Sequence, residues 1–189
     1  MRGLIKKRIE ESIKVKKDLC ESQANNIEKA VRMVTGSLKK GGKVLAFGNG
    51  GSAADSQHIV AELIGRFKKE RRPIAGIALT ANTSTITALA NDYGYDATFA
   101  RQIEALGKPK DVAIGISTSG RSKNVIAAMR KAKELGLVTI GLTGGDGGSL
   151  KRESDIAIVV NSSDTARIQE SHIMIGHIIC ELVEEANIA

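Results

Sequence analysis

The sequence has 189 residues, a formal net charge of +7 and two cysteines, and only 3% of its residues are aromatic. The length suits one domain, residues 1–189. The N-terminus does not resemble a leader peptide, no apolar run reaches about 18 residues, and the two cysteines form no disulfide framework. We therefore expect a cytoplasmic protein that enters no membrane. The positive charge is dispersed and no RNA- or DNA-reading motif accompanies it, so we expect small anionic ligands as partners rather than nucleic acid.

The first 40 residues form a helical extension in front of the first strand. Apolar side chains recur at helical spacing from residue 3 onward, and this pattern predicts two helices broken near Ser22 to Asn26. We expect the extension, residues 1–40, to pack on the sheet or on a neighbouring subunit.

A buried strand, a glycine turn and a helix are predicted in succession over residues 43–67. The apolar run from Lys43 to Phe47 leads into Gly48-Asn49-Gly50-Gly51, where exposed backbone N–H groups can approach an anion closely. Either Ser52 or Asn49 can cap the helix that follows. This turn is therefore a candidate ligand site.

His58 and Glu62 stand four residues apart on that helix. At this spacing they share one face, with Cβ atoms roughly 5–6 Å apart. An imidazole and a carboxylate so arranged supply half of a zinc site. The same spacing is common in solvated side-chain pairs, so the segment alone leaves both interpretations open.

Strands and helices alternate along the rest of the chain. Further strands are predicted at Ile74–Leu79, Asp111–Ile116, Val138–Leu142 and Asp155–Val160. Helices are predicted at residues 80–91, 99–106, 123–135 and 165–186. The alternation predicts an α/β fold: a three-layer α/β/α sandwich with a five-stranded, mostly parallel sheet, preceded by the N-terminal helices.

Polar segments follow three of these strands. They are the glycine turn, the region from Thr80 to Asp92 and the hydroxyl-rich loop from Ser117 to Ser122. Backbone N–H groups, hydroxyls and a helix dipole in such a loop suit a phosphate, although a serine-rich helix cap has the same appearance. Because parallel strands present their carboxyl ends at one edge, one small phosphorylated ligand can touch all three segments.

Four motifs carry a resemblance to a known family. GNGGSAADSQHIVAELIGRF, LTANTSTITALANDYGYD, GISTSGRSKNVI and ARIQESHIMIGHIICELVE together resemble the sugar isomerase (SIS) fold and, within it, the phosphoheptose isomerases. The motifs cover nearly the whole chain in the family's order.

The resemblance implies roles for individual residues. The implied substrate contacts are Asn49, Gly50, Gly51, Glu62, Asn91, Asp92, Ser117, Thr118, Ser119, Ser122 and Gln169. The implied zinc ligands are His58, Glu62, Gln169 and His177, and the implied acid/base pair is Glu62 and His177.

The implied reaction is the aldose–ketose isomerisation of D-sedoheptulose 7-phosphate to D-glycero-D-manno-heptose 7-phosphate through an enediol. It is the first step of ADP-heptose synthesis for the lipopolysaccharide core. The family further implies one zinc ion per subunit and a homotetramer with active sites at subunit interfaces.

Three points stay open in the sequence. Gln169 and His177 are eight residues apart, about 12 Å along a straight helix. Either the metal lies between them with both side chains fully extended, or the helix begins after Gln169, or different subunits supply the two ligands. His172 is an alternative ligand or a core histidine.

Two other functions remain open for this fold. A non-catalytic relative that binds the bacterial replication initiator shares the fold but lacks the counterparts of Glu62 and His177. A sugar-phosphate-sensing domain of a regulator is the third possibility. Bound metal separates the isomerase from the initiator-binding alternative.

Overall fold

Five parallel strands form the single sheet of the computed structural model, which describes residues 1–186. The strands are β1 (Val44–Gly48), β2 (Gly76–Ala78), β3 (Val112–Ser117), β4 (Val138–Gly144) and β5 (Ile156–Val160). Their order in the sheet is β2-β1-β3-β4-β5, and every neighbouring pair is parallel. Strands β1 and β3 are buried along their whole length, as a sheet covered on both faces requires. The predicted α/β class and five-stranded sheet are confirmed.

Seven α-helices surround the sheet within the described residues. They are α1 (Arg2–Leu38), α2 (Gly51–Ile64), α3 (Thr83–Tyr93), α4 (Thr98–Leu106), α5 (Lys123–Glu134), α6 (Gly148–Arg152) and α7 (Thr165–Glu185). A short 3₁₀ helix, Tyr95–Ala97, joins α3 to α4. Of the predicted single domain of residues 1–189, the last three residues lie outside the described part of the chain.

The predicted break near Ser22 to Asn26 is wrong, because α1 is one continuous helix of 37 residues. The segment contains neither glycine nor proline, so the backbone can stay helical. Its polar side chains bond within the helix: Ser22 Oγ donates to the Asp18 carbonyl at 2.7 Å, and the Asn26 amide donates to Gln23 Oε1 at 3.0 Å.

Two apolar layers enclose the sheet. One face carries α1, α2 and α7 and receives the side chains of Val44 and Ala46. The other carries α4, α5 and α6 and receives Leu45 and Phe47. This alternation along β1 follows from the period-2 geometry of a strand and gives the predicted three-layer sandwich.

Part of the helical surface lacks cover within the chain. The C-terminal half of α1 packs on the sheet, but Leu4, Ile5, Ile9 and Ile13 in its N-terminal half are 57%, 55%, 55% and 48% exposed. Helix α3 buries none of its residues. In the described part of the chain, no helix has both the length and the apolar character that a bilayer span requires.

Candidate active site

The seam between α2 and α7 carries the chemistry-bearing side chains. The two helices approach closely at Gly176, where a Cβ atom would lie only 2.6 Å from Ile59 Cγ1. One turn later, Cys180 Sγ lies 3.7 Å from the Ile59 carbonyl oxygen. Because glycine and cysteine are small, side chains on the rim of the seam can meet across it.

His58, Glu62 and His177 converge at this rim, and we call them the triad. The Nε2 atoms of His58 and His177 lie 2.9 Å apart, and His58 Nε2 lies 3.3 Å from Glu62 Oε1. One potential ligand atom from each residue lies within 4.8 Å of the others. The half-exposed side chain of His58 makes the triad accessible from solvent. The structure thus brings together three of the four predicted metal ligands.

The donor set of the triad fits a zinc ion. Zinc in proteins takes imidazole nitrogens and carboxylate oxygens, and two nitrogens bound to a tetrahedral zinc at about 2.0–2.1 Å lie roughly 3.3 Å apart. The observed 2.9 Å between the two Nε2 atoms needs only a small side-chain adjustment to match this spacing. The triad would supply three of the four ligands of such an ion.

Gln169, the fourth predicted ligand, lies elsewhere in the same chain. Its side-chain amide packs against Gly51, where a Cβ atom would collide with it. Gly51 precedes His58 by seven residues of α2, about 10 Å along the axis. Gln169 therefore belongs to the glycine turn of its own chain, two helical turns from the triad.

The glycine turn is held by side chains rather than by a helix cap. Helix α2 starts from Gly50, whose φ of +55° suits glycine, and no side chain caps it, so the predicted cap at Ser52 or Asn49 is wrong. Asn49 instead exchanges two hydrogen bonds of 2.9 Å with Asn124 and accepts a third, of 3.0 Å, from the Tyr95 hydroxyl.

Asn124 and Tyr95 are functional candidates that the sequence reasoning missed. Both lie inside the family-like motifs, Asn124 two residues after the hydroxyl-rich loop and Tyr95 three residues after Asp92. Their position next to recognised residues was the available signal. Their contact with Asn49 depends on the tertiary arrangement, which residue spacing does not encode.

The hydroxyl-rich loop lines a cavity of about 340 Å³ at the carboxyl edge of the sheet. Ser117 Oγ and Ser122 Oγ are 2.9 Å apart, and no side chain caps α5 at Ser122. Arg121 at the rim pairs with Asp146 at 2.6 Å. The Gly148 N–H and then Arg121 lower the pKa of Asp146. The hydroxyl groups of this loop and the uncapped start of α5 suit an anionic group better than a closed capping motif does.

Asn91 and Asp92 stand apart from the groups described so far. They lie in the last turn of α3, which continues two residues beyond the predicted end of this helix, and both are exposed. Asn91 Nδ2 donates to Asp92 Oδ1 at 2.8 Å. Tyr95, in the segment that follows, contacts Asn49 of the glycine turn, whereas Asn91 and Asp92 do not.

Two buried titratable groups flank the seam. His172 is fully buried and donates from Nε2 to the Thr143 carbonyl at 3.1 Å. Burial lowers its pKa to about 4, so it is a neutral core residue outside the triad. Asp55, one turn before His58 on α2, is 8% exposed. Burial raises its pKa to about 6, against an opposing effect of His58.

Comparison with known proteins places this geometry in a family. The SIS domain family model matches residues 9–144. A phosphoheptose isomerase of Aquifex aeolicus is 55% identical over 181 residues, which cover 96% of this chain and 95% of that protein.

Solved structures agree with the sequence match. The phosphoheptose isomerase of Neisseria gonorrhoeae has a TM-score of 0.92 at 40% identity, covering 97% of this chain and 98% of that one. The enzyme of Francisella tularensis has a TM-score of 0.93 at 38% identity, covering 97% of each chain. The resemblance carried by the four motifs is confirmed.

Proposed function

The chain belongs to the phosphoheptose isomerases of the SIS-domain family and is a sugar-phosphate isomerase, and we propose that its substrate is D-sedoheptulose 7-phosphate. The product is D-glycero-D-manno-heptose 7-phosphate, formed in the cytoplasm as the first step of ADP-heptose synthesis for the lipopolysaccharide core. The observation that carries this proposal is the convergence of His58, Glu62 and His177 at the seam of α2 and α7.

Substrate binding is assigned to the carboxyl edge of the sheet. The phosphate binds at the hydroxyl-rich loop, with Ser117, Thr118, Ser119 and Ser122 as contacts. Of these four residues, Thr118 and Ser119 line the cavity, and Ser117 and Ser122 pair through their hydroxyls. At the glycine turn, Asn49 Oδ1 already accepts two hydrogen bonds. Its Nδ2 donates one to Asn124 and keeps a second N–H for a sugar oxygen.

The other proposed substrate contacts lie at the glycine turn and at the end of α3. The amide of Gln169 packs against Gly51, two residues after Asn49. The backbone N–H groups of Gly50 and Gly51 are further proposed contacts at the same turn. Asn91 and Asp92 present an exposed amide and carboxylate at the end of α3, suited to sugar hydroxyls.

Glu62 and His177 are the proposed acid/base pair. Moving the carbonyl from C2 to C1 requires a base that removes a proton from C1 and returns one to C2, and Glu62 takes this part. His177 passes a proton between the two enediol oxygens. The side chain of Glu62 is 22% exposed, so it reaches ligand at the rim without being fully solvated.

We assign zinc to the triad, one ion per subunit. His58, Glu62 and His177 of one chain would hold it together with Gln169 of a second copy, and Glu62 would serve as a base only when it is not bound to the ion. When bound, zinc supplies positive charge that polarises a carbonyl and stabilises a developing oxyanion.

We propose a homotetramer with active sites shared between subunits, and two features of the chain support it. Within one chain Gln169 and the triad are two helical turns apart, and the uncovered side chains Leu4, Ile5, Ile9 and Ile13 offer an apolar contact surface. No nucleic acid is part of the proposal, because the basic residues lack a reading motif.

Turnover of sedoheptulose 7-phosphate by the purified protein tests the proposal, with the aldose product identified by NMR. The initiator-binding alternative predicts no turnover and no metal in a folded protein. The triad disfavours it, since a binding module needs no such constellation.

A further inference from the structure

Glu184, near the end of α7, is buried at 4% exposure yet accepts four hydrogen bonds. Its Oε1 accepts the backbone N–H groups of Lys68 at 2.9 Å and of Lys69. Its Oε2 accepts the Phe67 N–H at 2.9 Å and Arg71 Nε at 3.2 Å. Although burial alone would raise the pKa of Glu184, these donors outweigh it and hold the pKa below its ordinary value. The carboxylate therefore fixes the loop between α2 and β2 onto α7.

Arg71 extends this anchor to the end of α2. Its Nη2 donates to the Glu62 carbonyl at 2.8 Å, and its Nη1 donates to the Leu63 carbonyl at 2.8 Å and the Gly65 carbonyl at 3.1 Å. These carbonyls lack partners inside the helix, and a guanidinium there also complements the helix dipole. The last turn of α2, which carries Glu62, is thereby tied to Glu184.

Phe67 extends the anchor to His177. Its backbone N–H is held by Glu184, and its ring lies 5.5 Å from the His177 ring at an interplanar angle of 31°. The opposite neighbour of His177 is His58, 5.1 Å away in an edge-on arrangement. Two ring contacts thus restrict rotation of the His177 imidazole, and one of them depends on the loop that Glu184 fixes.

We propose that Glu184 is a positioning residue for the isomerase reaction, orienting Glu62 through Arg71 and His177 through Phe67. The inference rests on the acid/base roles proposed above for Glu62 and His177. Glu184 itself contacts neither residue's reacting atoms. The carboxylate of Glu184 is connected to both Glu62 and His177, so removing it should displace both side chains.

Glu184→Gln is the sharpest test, because the carboxamide has the same size but only one acceptor oxygen and no charge opposite Arg71. Glu185→Gln makes the same change one residue later, at an exposed position, and is the matched control. We expect Glu184→Gln to lower kcat roughly 10- to 100-fold, because small misplacements of reacting groups cost that much. KM should stay within about twofold, since the binding turn lies elsewhere. Glu185→Gln should match the wild type.

A second measurement separates positioning from general damage. The chain has three histidines, so ¹³C-labelled histidine gives a resolvable NMR spectrum of their rings. In Glu184→Gln the His177 signal should shift or broaden, while the signal of buried His172, which reports on the core, should stay in place. Phe67→Leu removes the ring contact without touching the carboxylate and should reproduce the His177 shift, and it replaces Glu184→Gln if that variant does not fold.

The inference is overturned if folded Glu184→Gln keeps its wild-type kcat, or if kcat falls while the His177 signal stays unmoved. Lack of turnover in the wild type would reject the proposed function instead, and the His177 spectra would still decide whether Glu184 orients the ring.

Discussion

Asn49 and Asn124 hold each other by two amide hydrogen bonds of 2.9 Å, each side chain donating one and accepting the other. The pair joins the glycine turn after β1 to the start of α5, two segments 75 residues apart in sequence. Asn124 is only 2% exposed, so solvent cannot easily replace its bonds. The second N–H of Asn49 Nδ2 therefore points in a fixed direction, as its proposed bond to a sugar oxygen requires.

Replacing Asn124 with aspartate should weaken substrate binding. The new carboxylate would accept from Asn49 Nδ2 but could not donate to Asn49 Oδ1, leaving two oxygens opposed. We expect KM to rise about tenfold, the effect of one lost buried hydrogen bond of about 1.4 kcal/mol, with a smaller change in kcat. Tyr95→Phe removes only the exposed phenol bond and should raise KM less. An unchanged KM for folded Asn124→Asp would contradict the proposed role of Asn49 in substrate binding.

Replacing Glu62 with glutamine should abolish proton transfer. A carboxamide cannot act as a base, so we expect kcat to fall by about 10² to 10⁴ with little change in KM. In D₂O the wild type should also incorporate deuterium at C2 of the aldose, and Glu62→Gln should not exchange bound substrate. Glu70→Gln, at an exposed position on the following loop, is the control. Full activity in Glu62→Gln would assign the base elsewhere.

Most of the fold could be predicted from the sequence because a buried parallel sheet leaves a clear pattern. Short apolar runs, glycine-containing turns and amphipathic helices located every strand to within two residues. The prediction failed at Ser22 to Asn26, where polar residues indicated a break but bond to their own helix. Polar side chains that are common in loops can also form hydrogen bonds within an exposed helix face. The sequence alone does not distinguish a loop from such a helix.

The site was only partly predictable, for a different reason. His58 and Glu62 share a helix face through spacing alone, but their meeting with His177 depends on how closely α2 and α7 pack at Gly176. Likewise, the position of Gln169 against Gly51 follows from the parallel arrangement of the two helices. Local spacing carries no information on such contacts, so only the family resemblance pointed to His177.

Metal removal should destabilise the protein through the triad. Wild-type protein should hold about one zinc per chain, and a free zinc concentration 100 times the Kd would contribute about 2.7 kcal/mol. Chelation should then lower Tm by roughly 5–10 °C at this chain length. His58→Gln should hold less zinc and respond less to the chelator, whereas Glu70→Gln should behave as the wild type. An unchanged wild-type Tm with and without added zinc would contradict the zinc assignment.

The buried His172 should make stability depend on pH. Its pKa is about 4 in the folded chain against about 6.5 in the unfolded chain, so the unfolded state binds more protons between these values. The contribution of His172 is therefore complete above pH 6.5 and is lost as pH falls toward 4. The loss should amount to about 3 kcal/mol.

Comparison with His172→Gln isolates this effect. Glutamine retains a donor for the Thr143 carbonyl but does not titrate. In the difference in unfolding free energy between the two proteins, the contributions of all other titratable groups therefore cancel. This difference should be constant above pH 6.5. Below pH 6.5 the wild type should lose stability relative to His172→Gln. Protein concentration must be equal in both series, since assembly also stabilises. Parallel pH curves would show that His172 does not stay neutral in the folded state.

Mixing two inactive variants should restore activity if active sites are shared between subunits. Gln169→Ala keeps a complete triad, and Glu62→Gln keeps Gln169, so each lacks what the other has. After unfolding and refolding together in equal amounts, about a quarter of the sites in a symmetric oligomer would combine an intact triad with an intact Gln169 from a neighbour. We expect about a quarter of wild-type activity, measured against each variant refolded alone. If Gln169 serves the triad of its own chain, every site carries one lesion and the mixture stays inactive.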